Sequence, residues 1–205
     1  MLKYLLFLSL ILNALNASNT YYEHRVSQFK MLSKQQDKKI VMIGDSITDR
    51  GLWSELTNRH DIINRGISGD TTDGVLYRLD TLNSGLKQAF IMIGVNDLFK
   101  GRSVQEVFAN YKQIIITLQK KNILPFIQST LYVGADAPPI YNDRITQLNS
   151  LLLNYAIKHS ITYIDLNKYL SPKRVLSKRF SSDNLHLNGE AYLIWARVLK
   201  KYVFQ

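Results

Sequence analysis

Residues 41–51, VMIGDSITDRG, run from an apolar segment directly into a glycine, an acid and a hydroxyl. A short apolar run that ends at small and polar residues is typical of a buried β-strand followed by a turn. Two interpretations of Ser46 follow: it either caps the next helix or serves as a nucleophile. The rest of the chain discriminates between them.

Similar apolar runs recur along the chain and alternate with segments of helical spacing. The predicted strands are KIVMIG (39–44), DIINRG (61–66), QAFIMIG (88–94), ILPFIQST (123–130) and ITYIDL (161–166). The predicted helices cover 52–60, 72–82, 103–122, 141–160 and 188–202, with a short one inside the polar segment 18–39. The helix at 103–122 opens with Ser103 three residues before Glu106, the pattern of a capping box. Five strands separated by helices predict an α/β protein, a three-layer α/β/α sandwich around a five-stranded parallel sheet.

The first residues have a different character from the rest. Residues 1–17, MLKYLLFLSLILNALNA, combine a charged Lys3, an apolar run and a small Ala17, which is the layout of a secretory signal peptide. The apolar run is short for a membrane span, so we predict no stable span, with an uncleaved anchor as the alternative. Residues 18–205 have a length that favours a single domain. The protein is therefore predicted to be exported, either to the periplasm or out of the cell.

The composition is basic and lacks cysteine. The formal net charge is +10 in a chain of 205 residues. A basic exported protein is attracted to anionic envelope polymers, although general solubility is the simpler explanation of the charge. The chain does not alternate aromatic and basic residues, which argues against nucleic acid as a partner. No clustered metal-ligand spacing is present, and nothing in the sequence indicates an oligomeric state.

Polar and small residues follow several predicted strands and precede the last helix. They fall in four segments: Asp45 and Ser46 in GDSIT, Gly69 and Asp70 in GISGDTT, Asn96 and Asp97 in GVNDL, and Asp183 and His186 in SSDNLHLN. Because ligands bind at the carboxyl ends of parallel strands, which share one edge of the sheet, we expect the four segments to converge. Each residue alone would be a cap, turn or loop residue. Their common placement favours a functional site.

The residue types in these segments fit acyl transfer by a serine. A serine hydroxyl needs a base, and the imidazole of His186 is the natural one near neutral pH. Asp183, three residues earlier, is placed to hold that imidazole in one tautomer. Candidate oxyanion donors are the backbone amides of Ser46 and Gly69 and the side-chain amide of Asn96. The acids expected to support the site by bracing its loops are Asp45, Asp70 and Asp97.

GDSIT, GISGDTT, GVND and DNLH resemble the ordered sequence blocks of the SGNH, or GDSL-type, hydrolases, with comparable spacing from about residue 39 to the last helix. The resemblance implies a flavodoxin-like three-layer fold. It also implies that Ser46 is the nucleophile, that Asp183 and His186 are the acid and base, and that Gly69 and Asn96 donate to the oxyanion.

One block is similar to a particular branch of these hydrolases. GISGDTTDGVLYRL (66–79) resembles the platelet-activating-factor acetylhydrolase-like branch, which acts on short acyl esters. The chain also departs from the family pattern at one position. Many members have a glycine four residues after the serine, whereas this chain has Arg50 there and Gly51 next.

The sequence therefore predicts a serine esterase, or acylhydrolase, that cleaves short-chain carboxylic esters through an acyl-enzyme, without a metal or organic cofactor. An irregular insert, YVGADAPPIYND (132–143), is expected to border the site, and no lid or long apolar tunnel is evident. Export and positive charge favour O-acetyl groups on an envelope or host glycan as the substrate. The alternatives are a lysophospholipase or thioesterase, an acyltransferase, and an inactive module that binds acylated glycan.

Overall fold

The computed structural model describes residues 20–34 and 37–203. Its strands are β1 (Ile40–Gly44), β2 (Ile62–Gly66), β3 (Gln88–Met92), β4 (Leu124–Gln128) and β5 (Thr162–Ile164). Its helices are α1 (20–32), α2 (Ser46–Asp49), α3 (Trp53–Thr57), α4 (Thr72–Tyr77), α5 (Val95–Phe99), α6 (Val104–Lys120), α7 (Pro139–Lys158), α8 (Asn167–Leu170) and α9 (Gly189–Leu199), with a 3₁₀ turn at Leu79–Thr81.

The five strands form one sheet in which every pair is parallel. Their order across the sheet is β2-β1-β3-β4-β5, which confirms the predicted five-stranded parallel sheet. In the observed register, Gly44 at the end of β1 lies beside Gly66 of β2 and Met92 of β3. Three adjacent strands therefore end level, and the loops that follow them start from one edge.

The strand order reverses at β1, and this reversal places helices on both faces of the sheet. The step from β1 to β2 runs in one direction, whereas the later steps to β3, β4 and β5 run in the other. Right-handed crossovers then put the connecting helices on opposite faces. Accordingly, α3 packs against α9, while α4, α6 and α7 pack together as a second group. The strands β1 and β3 are buried along their whole length, as strands covered on both sides should be. The predicted three-layer α/β/α sandwich is confirmed.

Most long helices match the predicted ones, and the short helix α3 lies within the helix predicted at 52–60, whereas the other short helices differ from the prediction. The capping box is present at the start of α6, where Ser103 and Glu106 each accept the other's backbone amide. The helix predicted at 72–82 instead ends at Tyr77, because Arg78 leaves helical geometry (φ −107°, ψ 8°) where its side chain is buried against Asp70. The helices α2, α5 and α8 were not predicted, since four or five residues are too few to show a helical period.

The predicted irregular insert at 132–143 is a loop only as far as Pro138. Helix α7 begins at Pro139, so the second part of the insert is helical. A proline in the first turn of a helix has no N–H that needs a partner, and its fixed φ suits the helix. Pro139 therefore starts a helix that the sequence pattern placed two residues later.

The predicted signal peptide, residues 1–17, lies outside the described residues. The assignment of residues 18–205 to one domain stays a prediction. Within the described part of the chain, no helix combines the length and the apolar character needed to cross a membrane.

Gly66 allows β2 to lie close to α2. A Cβ on Gly66 would lie 2.2 Å from the amide nitrogen of Asp49 and 2.6 Å from its Cα. Both are backbone atoms, so the strand or the helix would have to move. We expect Gly66→Ala to lower the free energy of unfolding by about 1–3 kcal/mol in urea denaturation. The control is Gly189→Ala at the start of α9, where a Cβ meets no atom within 4 Å and stability should hold or rise slightly. Equal stabilities of the two variants would contradict close packing of β2 on α2.

Candidate active site

The helix α2 carries Ser46 as its first residue, directly after β1. The helix is capped by Asp45, whose carboxylate accepts the backbone amide of Ile47 at 2.9 Å. The serine hydroxyl is therefore not needed as a cap. It lies instead 2.9 Å from Nε2 of His186, a residue 140 positions later in the chain. This arrangement excludes the capping interpretation of Ser46.

His186 and Asp183 continue this chain of hydrogen bonds. Nδ1 of His186 lies 2.6 Å from Oδ2 of Asp183. The other carboxylate oxygen accepts the backbone amides of His186 at 2.8 Å and Leu185 at 3.1 Å. Desolvation alone would raise the pKa of Asp183, but these hydrogen bonds outweigh it and hold that pKa well below its ordinary value. The ionised carboxylate favours the tautomer with a proton on Nδ1 and a free lone pair on Nε2.

The segment that carries His186 is held in place by hydrogen bonds between its own residues, and the helix that follows it is bonded to α2. The amide of Asn188 donates to the carbonyl of Phe180 at 2.8 Å, and the Asn188 side chain caps α9. Farther along α9, the hydroxyl of Tyr192 donates to the carbonyl of Ile47 at 2.7 Å. The helix that follows the histidine is thus bonded directly to the helix that carries the serine.

The predicted oxyanion donors lie just past the ends of β1, β2 and β3: Ser46 begins α2, Gly69 lies in the loop after β2, and Asn96 lies in α5. The backbone amides of Ser46 and Gly69 donate no hydrogen bond to another described residue. Gly69 is exposed and has a φ of +79°, which glycine adopts without strain. The side-chain nitrogen of Asn96 donates to the carbonyl of Asp70 at 2.9 Å. This bond uses one of the two amide hydrogens, and the second stays available to a ligand.

The three predicted supporting acids, Asp45, Asp70 and Asp97, are all buried. Burial raises the pKa of each, and that of Asp45 reaches about 7. Asp70 forms a buried ion pair with Arg78 at 2.9 Å, and the same guanidinium donates to the last carbonyl of β1. Asp97 accepts the amide of Thr72 at 3.0 Å and its hydroxyl at 2.6 Å. Asp70 and Asp97 therefore brace the loop between β2 and α4.

Asn64 holds the far end of α2, a role that the sequence analysis did not assign. Its side-chain nitrogen donates to the carbonyls of Thr48, Asp49 and Gly51 at distances of 2.8–3.1 Å. Its side-chain oxygen accepts the amide of Gly66 at 2.8 Å. One asparagine side chain thereby binds three carbonyls at and just after the end of α2, where helix carbonyls lack partners within the helix.

The sequence analysis did not single out Asp49, which joins α2 to two other segments. Its carboxylate accepts hydrogen bonds from the hydroxyl of Tyr21 at 2.9 Å, from Arg25 at 3.2 Å and from the hydroxyl of Ser68 at 3.0 Å. Tyr21 and Arg25 belong to α1, and Ser68 precedes Gly69. The only local signal for this role is that an acid lies three residues after the serine, and that signal is weak.

The loop after β4 contacts the segment between Asp183 and His186. Asn184, with a φ of +65°, accepts the amide of Gly134 at 2.7 Å through its carbonyl and donates its side-chain nitrogen to Asp136 at 3.1 Å. A Cβ on Gly134 would lie 2.1 Å from the side-chain oxygen of Asn184, so only glycine permits this approach. The first part of the insert therefore lies against the segment that carries the histidine.

A pocket of about 250 Å³ opens beside His186, and we call it the histidine-side pocket. Its lining includes the charged residues Arg50, Lys178 and Asp183, and Leu187 is its one large apolar residue. Neither Gly69 nor Asn96, two of the predicted oxyanion donors, belongs to this lining. A larger pocket of about 310 Å³ lies beyond β4 and β5 and contains none of the predicted site residues.

In residues 20–34 and 37–203, no group of three or more histidine and acidic side chains is placed to hold a metal ion.

The raised pKa of Asp45 makes the stability of the fold depend on pH. The folded carboxyl, with a pKa of about 7, binds its proton more tightly than the unfolded one near 3.8, so stability falls as pH rises through this range. Asparagine keeps the acceptor for the Ile47 amide but cannot ionise. We therefore expect Asp45→Asn to exceed the wild type in free energy of unfolding, by a margin that grows from pH 5 to pH 8. The control is Asp61→Asn, because a hydrogen bond from Arg59 lowers the pKa of Asp61, so this variant should be less stable than the wild type by a margin that stays constant between pH 5 and pH 8. A margin that shrinks as pH rises would refute the assignment.

The three bonds to Asp49 should orient Ser46. We expect Asp49→Asn to slow labelling of Ser46 by a fluorophosphonate about tenfold, because small displacements of a reacting group are costly. The control is Asp61→Asn, which removes an ion pair with Arg59 at the opposite edge of the sheet. Equal labelling rates for the two variants, at equal free energies of unfolding, would rule out an orienting role for Asp49.

The chain is similar to one family of known proteins and to several individual relatives. The model of the GDSL-like lipase/acylhydrolase family matches residues 42–194. A curated relative, N-acylneuraminate cytidylyltransferase of Streptococcus agalactiae serotype III, is 29% identical over 164 residues. That match covers 80% of this chain and 38% of the relative, so the chain spans less than half of the relative's length.

Solved structures share the fold over most of the chain. A structure named for platelet activating factor, from Streptococcus pneumonia, has a TM-score of 0.86 at 24% identity and covers 96% of this chain and 99% of its own. The acetyl xylan esterase AlAXEase has a TM-score of 0.69 at 20% identity, with coverage of 81% and 100%. The family match confirms the resemblance drawn from the sequence blocks. The chain belongs to the GDSL-like lipase/acylhydrolase family.

Proposed function

We propose that this hydrolase removes short acyl groups, in particular O-acetyl groups on carbohydrate, through an acyl-enzyme on Ser46. The observation that carries the proposal is the unbroken chain of hydrogen bonds from Ser46 through His186 to Asp183, at 2.9 Å and 2.6 Å. This geometry gives the serine a base within reach and gives that base an orienting carboxylate.

Each step of the reaction uses a group described above. Nε2 of His186 takes the proton of Ser46 as Oγ attacks the acyl carbonyl, and Asp183 stabilises the imidazolium that forms. The imidazolium then gives its proton to the leaving alcohol, which departs from the acyl-enzyme. Water, deprotonated by the same nitrogen, attacks the acyl carbon and releases the acid and the free serine.

The negative oxygen of the tetrahedral intermediate requires fixed donors. The free amides of Ser46 and Gly69 and the second hydrogen of the Asn96 side chain meet this need in the proposal. The bond from Asn96 to the Asp70 carbonyl supports it further, because a donor held in place before the reaction need not be reoriented during it.

The lining of the histidine-side pocket favours a polar alcohol. With Leu187 as the one large apolar side chain, a long apolar chain on the alcohol would gain little from burial there. The curated relatives are named for N-acylneuraminate, which is a sugar, and this supports a carbohydrate substrate. The acetyl xylan esterase shows only that the same fold can serve deacetylation.

We expect Ser46→Ala to abolish hydrolysis of a chromogenic acetyl ester, because no nucleophile remains. Asn96→Ala should lower kcat on the order of 10²–10³-fold, the usual effect of one lost oxyanion donor. The matched control is Ser150→Ala, an exposed serine of α7 that should leave the rate unchanged. Labelling of the wild type by a fluorophosphonate, and none of Ser46→Ala, separates an enzyme from a module that only binds acylated glycan. Full activity in Ser46→Ala would refute the mechanism.

A panel of acetyl, butyryl and decanoyl esters, together with O-acetylated sugars, tests the substrate class. We expect kcat/KM to fall as the acyl chain lengthens and to be highest for an acetylated sugar. A rate that rises with chain length would favour a lysophospholipase or thioesterase and would overturn the preference for acetyl groups.

A further inference from the structure

Arg50 is a cation without an ionic partner beside the reacting groups. It caps the C-terminal end of α2, four residues after Ser46, and its side chain is exposed in the histidine-side pocket. Within the described residues, no carboxylate or other acceptor bonds its guanidinium.

A second cation opens on the same pocket. Lys178 is 76% exposed, and its nitrogen lies 3.9 Å from Asp136, the outer limit of an ion pair. Among the described residues that line the pocket, Asp183 is the one acid, and its charge is engaged by His186. The free charge of the pocket is therefore positive.

The position of the pocket indicates which half of the ester it receives. His186 lines it, and in the proposed reaction His186 protonates the leaving alcohol. The oxyanion donors Gly69 and Asn96 do not line it. A substrate whose carbonyl lies over Ser46 would thus place its alcohol part, not its acyl part, beside Arg50.

We propose that the histidine-side pocket is an anion subsite in which Arg50, assisted by Lys178, binds a carboxylate on the alcohol part of the ester. This inference rests on the proposed function and narrows it to O-acylated acidic sugars. The guanidinium fork matches a carboxylate with two parallel hydrogen bonds, whereas an ammonium acts as a point charge. A neutral sugar would leave the Arg50 guanidinium without an ionic partner among the described residues.

The test compares two substrates that differ only in the anion, O-acetylated glucuronic acid and O-acetylated glucose. We expect the wild type to prefer the acidic sugar in kcat/KM, mainly through KM, and the preference to weaken as salt rises. Arg50→Gln should lower the ratio of acidic to neutral kcat/KM about ten- to hundredfold. Arg50→Lys should retain part of it, and Lys178→Gln should lower it less than Arg50→Gln does. The matched control is Arg197→Gln on the exposed face of α9, which should leave the ratio unchanged.

The outcomes separate this inference from the proposed function. If the wild type deacetylates both sugars with equal kcat/KM, or if Arg50→Gln leaves the ratio where it was, the anion subsite is refuted and the esterase mechanism stands. If the wild type cleaves neither sugar and a fluorophosphonate does not label it, the proposed function fails, and the subsite fails with it.

Discussion

The level ends of β2, β1 and β3 are the constraint on which the site depends. Parallel hydrogen bonding places Gly44 beside Gly66 and Met92, so the loops after three strands begin at the same height. A slip of one residue would displace one of these loops by about 3.3 Å, more than the length of a hydrogen bond. Because the central strands are buried on both faces, their register is strongly specified. The starting points of the site loops are specified with it.

The helix α2 depends on its surroundings for its position. A helix of four residues has too few internal hydrogen bonds to be stable alone, so the contacts around it must hold it. Asp45 caps one end, Asn64 binds the carbonyls at the other, and Tyr192 reaches its middle from α9. Most of these polar groups are buried, and burial is tolerated because each group has a partner. The result is a serine whose position is set before any ligand arrives.

In the proposed reaction the two halves of the ester meet different parts of the fold. The acyl carbonyl faces Gly69, in the loop after β2, and Asn96, in α5 after β3. The alcohol faces the histidine-side pocket, whose walls come from the segment before α9 and from Arg50. Substitutions in the pocket wall can therefore change alcohol preference without altering the oxyanion donors.

Local patterns in the sequence were sufficient to predict the strands and the long helices. They also predicted that the segments around Ser46, Asn96 and His186 lie at one edge of the sheet. Apolar runs and capping residues act over a few positions, and the carboxyl ends of parallel strands share one edge of the sheet. The tertiary structure alone decided which distant side chains bond, such as Asp49 with three donors, and that no described residue pairs with the Arg50 guanidinium. Such bonds join residues far apart in the chain and form only when packing brings two atoms within about 3 Å. No local pattern in the sequence determines the distance between two such atoms.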